Sequence, residues 1–370
     1  MGAGGASQRE AWLTLSLSTI APRHQRALVE AIGSPEAVLG ADNAALTAVD
    51  GVTAAHVSRL RAAQAEAGVP AMLESLGELG VELLPFTDER YPALLLQTAD
   101  PPALLYVRGE ITARDDLSVA LVGTRRRSPY GEMVAQRLTA DLVRRGFTIV
   151  SGLAVGIDAD AHAAAVEAGG RTIAVLACGI DVDYPSQNLE LRERIVGAGA
   201  VVTELAPGTP PTRDRFPQRN RILSGLSLGT VVIEAPVKSG ALITARLAGE
   251  EGREVFAVPG NITSPVSRGC HALLREGATL VETAEDVVEG LGIMLEAVPE
   301  REPEQERRRK LEDLPGDQQQ VLDALSHQPR NIDDVTAECG LPGSQVSAAL
   351  MLLEVKGLVR RFPGNQFVRL

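Results

Sequence analysis

Seven short runs rich in valine and isoleucine recur through the middle of the chain. They are SVALVG (118–123), FTIVSG (147–152), RTIAVLA (171–177), AVVTEL (200–205), GTVVIEA (229–235), EVFAVPG (254–260) and ATLVET (278–283). Nearly continuous apolar runs, rather than alternating ones, suit parallel strands buried on both faces. Segments with helical patterning lie between most of them, at 130–146, 158–169, 188–198, 240–252 and 268–277. Strand–helix–strand alternation at this spacing predicts an α/β fold with a doubly wound, mostly parallel sheet across residues 111–295.

Two flanking regions read differently. Residues 8–110 read as short helices. Within them LTAVDGVTAAHVSRLRAA is similar to a helix–hairpin–helix (SAM-like) unit, with Gly51 in the turn and Val57, Leu60 and Arg61 on the second helix. Such a hairpin can offer turn amides to a DNA backbone, and it fits a plain packed helical turn equally well. Residues 296–316, EAVPEREPEQERRRKLEDLPG, are dense in charge and proline and predict an extended linker. Residues 317–370 carry three helical patterns and then VRRFPGNQFVRL, two short strands around a Pro-Gly-Asn turn, which together predict a winged helix. Its five basic residues (Arg330, Lys356, Arg360, Arg361, Arg369) face six acidic ones (Asp317, Asp323, Asp333, Asp334, Glu338, Glu354). A net charge of −1 neutralises phosphates poorly and favours a protein-contact or structural role.

Composition narrows the function classes. No stretch approaches the roughly 20 apolar residues of a membrane span. The segment MGAGGASQREAW lacks a basic n-region and an apolar h-region, which predicts no secretion signal, and Ala6 stands where myristoylation needs Ser or Thr. Three cysteines, Cys178, Cys270 and Cys339, are too scattered for a disulfide framework or a CxxC zinc site and suit a reducing cytoplasm. The formal net charge of −12 disfavours binding of nucleic acid over the whole surface. Any polyanion partner therefore needs a local basic site. One exists in PTRDRFPQRNRILSG, where Arg213, Arg215, Arg219 and Arg221 gather around Phe216 and Asn220 against one Asp214. All but three of the 36 basic residues are arginine, the side chain whose fork matches phosphate.

Ligands of parallel sheets bind beyond the carboxyl ends of the strands. Three of those ends are unusual here. VGTRRRSPYG stops a strand at Gly123, continues through Thr124 and Arg125, and opens a helix at Ser128-Pro129, a good N-cap followed by a favoured first residue. VSGLAVGIDADAH uses Ser151, Gly152 and Gly156 before its helix. EAPVKSGALITA caps a helix with Ser239 and places Gly240 and Thr244 in its first turns. Each end offers unpaired amides and a positive dipole end, which suit phosphate. No GxGxxG follows a strand and no GxxxxGK[ST] is present, so neither a dinucleotide cofactor nor a nucleotide-hydrolysing P-loop is supported. Asp158 and His162 stand four apart on one helix face, but no third ligand has matching spacing. A hydrogen bond at the helix start is the expected use of that pair, and no metal is expected. The remaining ligand is a nucleic-acid strand, with arginines on phosphates, Phe216 stacked on a base and Asn220 on a base edge or a phosphate.

The stretches SGLAVGIDADAH, ACGIDVDYPSQN, FPQRNRILSGLS, SGALITARLAGEEGREVFAVPG and SRGCHALLREGATL are similar, in order, to those of the DNA-processing protein A (DprA or Smf) family. The resemblance is dense over about residues 80–290. It implies an extended Rossmann-like core without an enzymatic cofactor that binds single-stranded DNA regardless of sequence as a homodimer. It further implies help in loading the RecA recombinase, against the single-strand-binding protein, on DNA incoming during natural transformation. Carried over by motif, the implied DNA contacts are Gly123, Thr124, Arg125, Ser151, Gly152, Gly156, Arg213, Arg215, Phe216, Arg219, Asn220, Gly240 and Thr244. The choice between Arg213 and Arg215 stays open, and Arg221 is as suited to bracing its helix as to binding DNA. The rival is an enzyme, a Rossmann-like nucleotide phosphoribohydrolase, whose PGGxGT loop the stretch VPGNITSP does not match.

Overall fold

Each of the seven apolar runs forms a strand of one nine-stranded sheet. The structure is a computed structural model that describes residues 3–65, 68–292, 314–325, 330–356, 358–362 and 366–369. Its chain divides into two units, Met1–Glu296 and Ala297–Leu370. In the larger unit the strands are β1 (Val81–Pro85), β2 (Leu104–Gly109), β3 (Ser118–Val122), β4 (Thr148–Ser151), β5 (Thr172–Val175), β6 (Ala200–Thr203), β7 (Gly229–Val232), β8 (Glu254–Ala257) and β9 (Thr279–Leu280). They lie in the order β1-β2-β6-β5-β4-β3-β7-β8-β9. From β6 to β9 all neighbours are parallel, whereas β2 pairs antiparallel with β6, Tyr106 opposite Thr203, and β1 pairs antiparallel with β2.

The first two strands correct the reading of residues 8–110 as helical only. Helices α1 to α6 (Ala3–Leu17, Pro22–Ile32, Pro35–Gly40, Asn43–Thr47, Ala54–Gln64 and Val69–Glu78) are there, but β1 and β2 extend the sheet by an antiparallel edge. One cluster of buried side chains joins Trp12, Leu28, Leu46 and Leu60 of the helices to Val81, Leu83, Leu104 and Tyr106 of these strands. The hairpin at Gly51 has φ +72°, a backbone that glycine adopts freely. The amide of Thr53 in that hairpin donates to Nδ1 of His56, 3.3 Å away, and Asp50 is exposed beside it. The turn therefore presents a capped amide and a carboxylate, a poor match to a DNA backbone.

Side chains alternate across β3. Val119 and Leu121 face helices α8 (Pro129–Arg144), α9 (Ile157–Glu167) and α14 (Ala284–Gly290). Ala120 and Val122 face α7 (Ala93–Leu96), α11 (Arg215–Gly225), α12 (Gly240–Glu250) and α13 (Arg268–Arg275). Helix α10 (Leu189–Ala198) covers β5 and β6 through Ile195. Both faces are thus buried, which is why these strands read as unbroken apolar runs. From β3 the chain progresses outward to β6 on one side, then returns to β7 on the other. The reversal makes the carboxyl ends of β3 and β7 the topological switch point, where ligands bind in open α/β sheets.

In the smaller unit, α15 (Gly316–Asp323), α16 (Ile332–Cys339) and α17 (Gly343–Val355) pack through Val321, Leu322, Val335, Val346, Leu350 and Leu353. A three-stranded antiparallel sheet of β10 (Arg330–Asn331), β12 (Gln366–Arg369) and β11 (Val359–Phe362) completes the predicted winged helix, adding one strand to the two expected. The turn 363–365 and nearly all of the linker 296–316 lie outside the described residues.

Candidate nucleic-acid interface

The three unusual strand ends belong to β4, β3 and β7, which are neighbours in the sheet. The chain after β3 is pinned across the switch point. The Thr124 amide donates to the Glu234 carbonyl at 2.7 Å, and the buried Glu234 carboxylate accepts from the Ser128 amide at 2.9 Å and its hydroxyl at 2.6 Å. Ser128 also caps α8, its hydroxyl accepting from the Gly131 amide. Gly156 carries the β4 turn against the β3 turn. Its φ is +90°, and a Cβ there would lie 2.5 Å from the Thr124 carbonyl oxygen. Gly152 is required by a second close approach, since its Cβ would lie 2.4 Å from Nη2 of Arg219.

Several residues expected to touch DNA are instead interior supports. Arg219 is 5% exposed; its Nη1 donates to the carbonyls of Gly152 (2.8 Å) and Val175, and its Nε to Asn220 Oδ1. This corrects the reading of Arg219 as a surface phosphate clamp, because its guanidinium is directed at carbonyls beneath the turn. Burial lowers its pKa to about 10, partly offset by Asp158. Asn220 is also buried and donates to the Gly240 carbonyl at 3.2 Å, linking α11 to α12. The buried Thr244 hydroxyl stays in its own helix, donating to Gly240 O, and that of Ser151 donates to Leu121 O at 2.6 Å. Thr124 is buried, and its hydroxyl accepts from the Arg126 amide. Arg221 braces its helix, donating to the Asp100 carbonyl and to the Glu204 carboxylate.

Asp158 and His162 do not form the expected pair. Burial pushes the Asp158 pKa up, a rise that the charge of Arg219 and the nearby backbone amides oppose. His162 is fully buried and donates from Nδ1 to the Thr172 hydroxyl at 2.7 Å, since that hydroxyl itself donates to Ile149 O. Desolvation lowers its pKa to about 3, so it is neutral. Among the described residues no group of three or more His, Cys, Asp or Glu side chains could hold a metal ion.

What remains exposed forms a lip. Arg125 lies with its guanidinium carbon 4.7 Å from the centre of the half-buried Phe216 ring. Tyr184 meets the same ring edge-on, with centroids 6.0 Å apart. Arg213 and Gly240 are exposed, and Arg215, half-buried, donates to the Pro210 carbonyl. Sequence reasoning missed Tyr184, although it stands in ACGIDVDYPSQN. One of only four tyrosines, preceded by Asp183 and followed by Pro185, was the available signal. Arg127, next to the lip, is turned away by ion pairs to Asp160 and to Glu132. The lip offers a ring face for a base and cations for phosphates.

The family model for DNA recombination-mediator protein A matches residues 82–292, and that for the DprA winged helix domain matches 305–365. A putative DNA processing protein DprA of Mycobacterium tuberculosis is 38% identical over 366 residues, covering 94% of this chain and 91% of that one. The Synechocystis protein Smf is 36% identical over 335 residues, covering 80% and 82%. The X-ray structure of DNA processing protein A from Streptococcus pneumoniae superposes with a TM-score of 0.67 at 35% identity, covering 76% of this chain and 97% of that one. A solved structure of DNA processing protein A from Helicobacter pylori, described for its single-stranded DNA binding mode, has a TM-score of 0.51 at 30% identity, covering 57% of this chain and 95% of that one.

Proposed function

The chain belongs to the DNA recombination-mediator protein A family, and from that premise we propose that it binds single-stranded DNA, regardless of base sequence, at the lip of Arg125, Phe216 and Tyr184. The observation that carries the reading is the contact between exposed Arg125 and half-buried Phe216 at the switch point of the sheet. An aromatic face accepts any base and an arginine any phosphate, so such a lip is indifferent to sequence. Arg213 and Arg215 supply further charge at the start of α11, and the Gly240 turn extends the surface along the strand ends. Nothing in this arrangement requires a reaction, and the role is binding rather than catalysis. The finer role follows the family resemblance. The protein works in the cytoplasm as a homodimer that helps load the RecA recombinase on strands held by single-strand-binding protein, during natural transformation and recombination. The winged helix serves protein contact rather than duplex binding. No helix among the described residues is long and apolar enough to cross a membrane.

Titration of a labelled oligonucleotide over a range of salt tests the reading. Arg125→Ala is expected to weaken binding to every sequence alike and to reduce the salt slope by about 0.7, the value for one phosphate contact on a single strand. Phe216→Ala should cost about 1–3 kcal/mol of affinity, the range for one stacked base. Single strands should outcompete duplex of the same length. If both variants bind single strands as the parent does, the lip is not the site.

A further inference from the structure

The turn that carries Arg125 runs on through Arg126 and Arg127. The first of these arginines faces the Phe216 ring, whereas the third faces two carboxylates. Arg127 pairs through Nε with Asp160 and through Nη2 with Glu132, the latter at 3.0 Å. Asp160 lies in the first turn of α9 and Glu132 in the first turn of α8. These helices follow β4 and β3, so their first turns stand at the carboxyl edge of the sheet, the edge that bears the lip. Arg127 therefore bridges two helix N-termini on the ligand side instead of bracing the core. Two residues of chain span at most about 7 Å, so Arg127 starts within that distance of Arg125. Its side chain is 32% exposed and that of Glu132 43%, against 13% for Asp160. An ion pair as open as that with Glu132 holds weakly, because water and salt screen it. A guanidinium fork so placed can exchange a carboxylate for a phosphate without leaving the turn, since both anions fit its paired donors.

We propose that Arg127 is a latched phosphate contact: Asp160, with Glu132 beside it, holds the guanidinium in the protein's own ion pairs, and a bound strand competes with these carboxylates for it. Asp160 then sets how many phosphates the lip engages. The proposal rests on the single-stranded DNA reading above and adds to that site a further cation and its restraint. It is separable from general electrostatics. Any carboxylate near the strand repels phosphate, so removing one tightens binding whether or not an arginine is released. A latch tightens binding only while Arg127 is present, and its release adds one contact to the salt dependence.

A double-mutant cycle on Asp160→Asn and Arg127→Ala, read by fluorescence anisotropy of a labelled oligothymidylate over a range of salt, separates the two. Asp160→Asn is expected to bind about fivefold more tightly at about 0.1 M salt, with a slope steeper by about 0.7, the value for one further phosphate on a single strand. In the Arg127→Ala background the same substitution should change affinity by less than about twofold and leave the slope as it was. No gain in Asp160→Asn, or a gain that persists without Arg127, overturns the proposal. Should Asp160→Asn not fold, Glu132→Gln, at a half-exposed position, takes its place in the cycle with a smaller expected gain and the same overturning outcomes. Arg125→Ala tells the two possible failures apart. If it binds as the parent does, the lip is not the site and the DNA reading fails. If it binds more weakly while Asp160→Asn does not tighten, only the latch is wrong.

Discussion

Arg219→Ala should lower folding stability by about 1–3 kcal/mol for each of the two buried carbonyls it leaves without a donor. The carbonyls of Gly152 and Val175 lose their donor, and Asp158 loses the positive charge that opposes the burial-driven rise of its pKa. The loss should depend on pH. Burial holds the Asp158 pKa above its ordinary value in the folded chain, and Arg219 restrains that rise. Without the arginine the folded-state pKa climbs further, while the unfolded value does not change. Between those two values the folded state binds more protons than the unfolded state, so stability falls as pH rises through the window. The deficit should shrink as pH is lowered from 7 toward 5. Denaturant titration followed by Trp12, the single tryptophan and a core residue of the larger unit, measures both effects. An unchanged midpoint at pH 7 would show that the bonds of Arg219 to these carbonyls contribute nothing. Arg219→Lys keeps the charge but not the fork, and should fall between the parent and alanine.

The burial of Arg219 also shows where sequence reasoning stops. In RDRFPQRNR (213–221) four arginines surround one aromatic ring, and charge is ordinarily a mark of surface. Which of them turns inward depends on the registration of α11 over β4 and β5, a tertiary fact that local sequence does not encode. Gly152 held the one clue, since a glycine after a strand implies a close approach, but not to what. The parallel strands were legible because burial on both faces removes all polar alternation. The antiparallel edge was not. Strand β1, VELLP, mixes a glutamate and a proline among three apolar residues, and β2 follows a pair of prolines in a region otherwise punctuated like short helices. Arg125, exposed after a strand end, and Phe216 were separately legible as site candidates. That they touch was not, since 90 residues separate them.

Gly156→Ala should have the next largest effect, and it separates backbone necessity from DNA contact. The residue has φ +90° and ψ −137°, a region open essentially to glycine alone, at a cost of about 1–3 kcal/mol for other residues. The added methyl would also press on the Thr124 carbonyl oxygen and the Arg125 carbonyl carbon, 2.5 and 2.9 Å away. Backbone cannot swing aside as a side chain can, so the β3 turn must move, and Arg125 moves with it. A drop in stability and a tenfold or greater loss of strand affinity are therefore expected together. Gly240→Ala provides the contrast. Its Cβ meets nothing within 4 Å and its φ is not positive, so alanine at the first position of α12 should leave stability unchanged or raise it slightly. Loss of affinity in Gly240→Ala without loss of stability would mark close passage of DNA over that turn. Parent-like melting and parent-like binding in Gly156→Ala would mean that the β4 turn does not set the position of Arg125, and the lip would need another support.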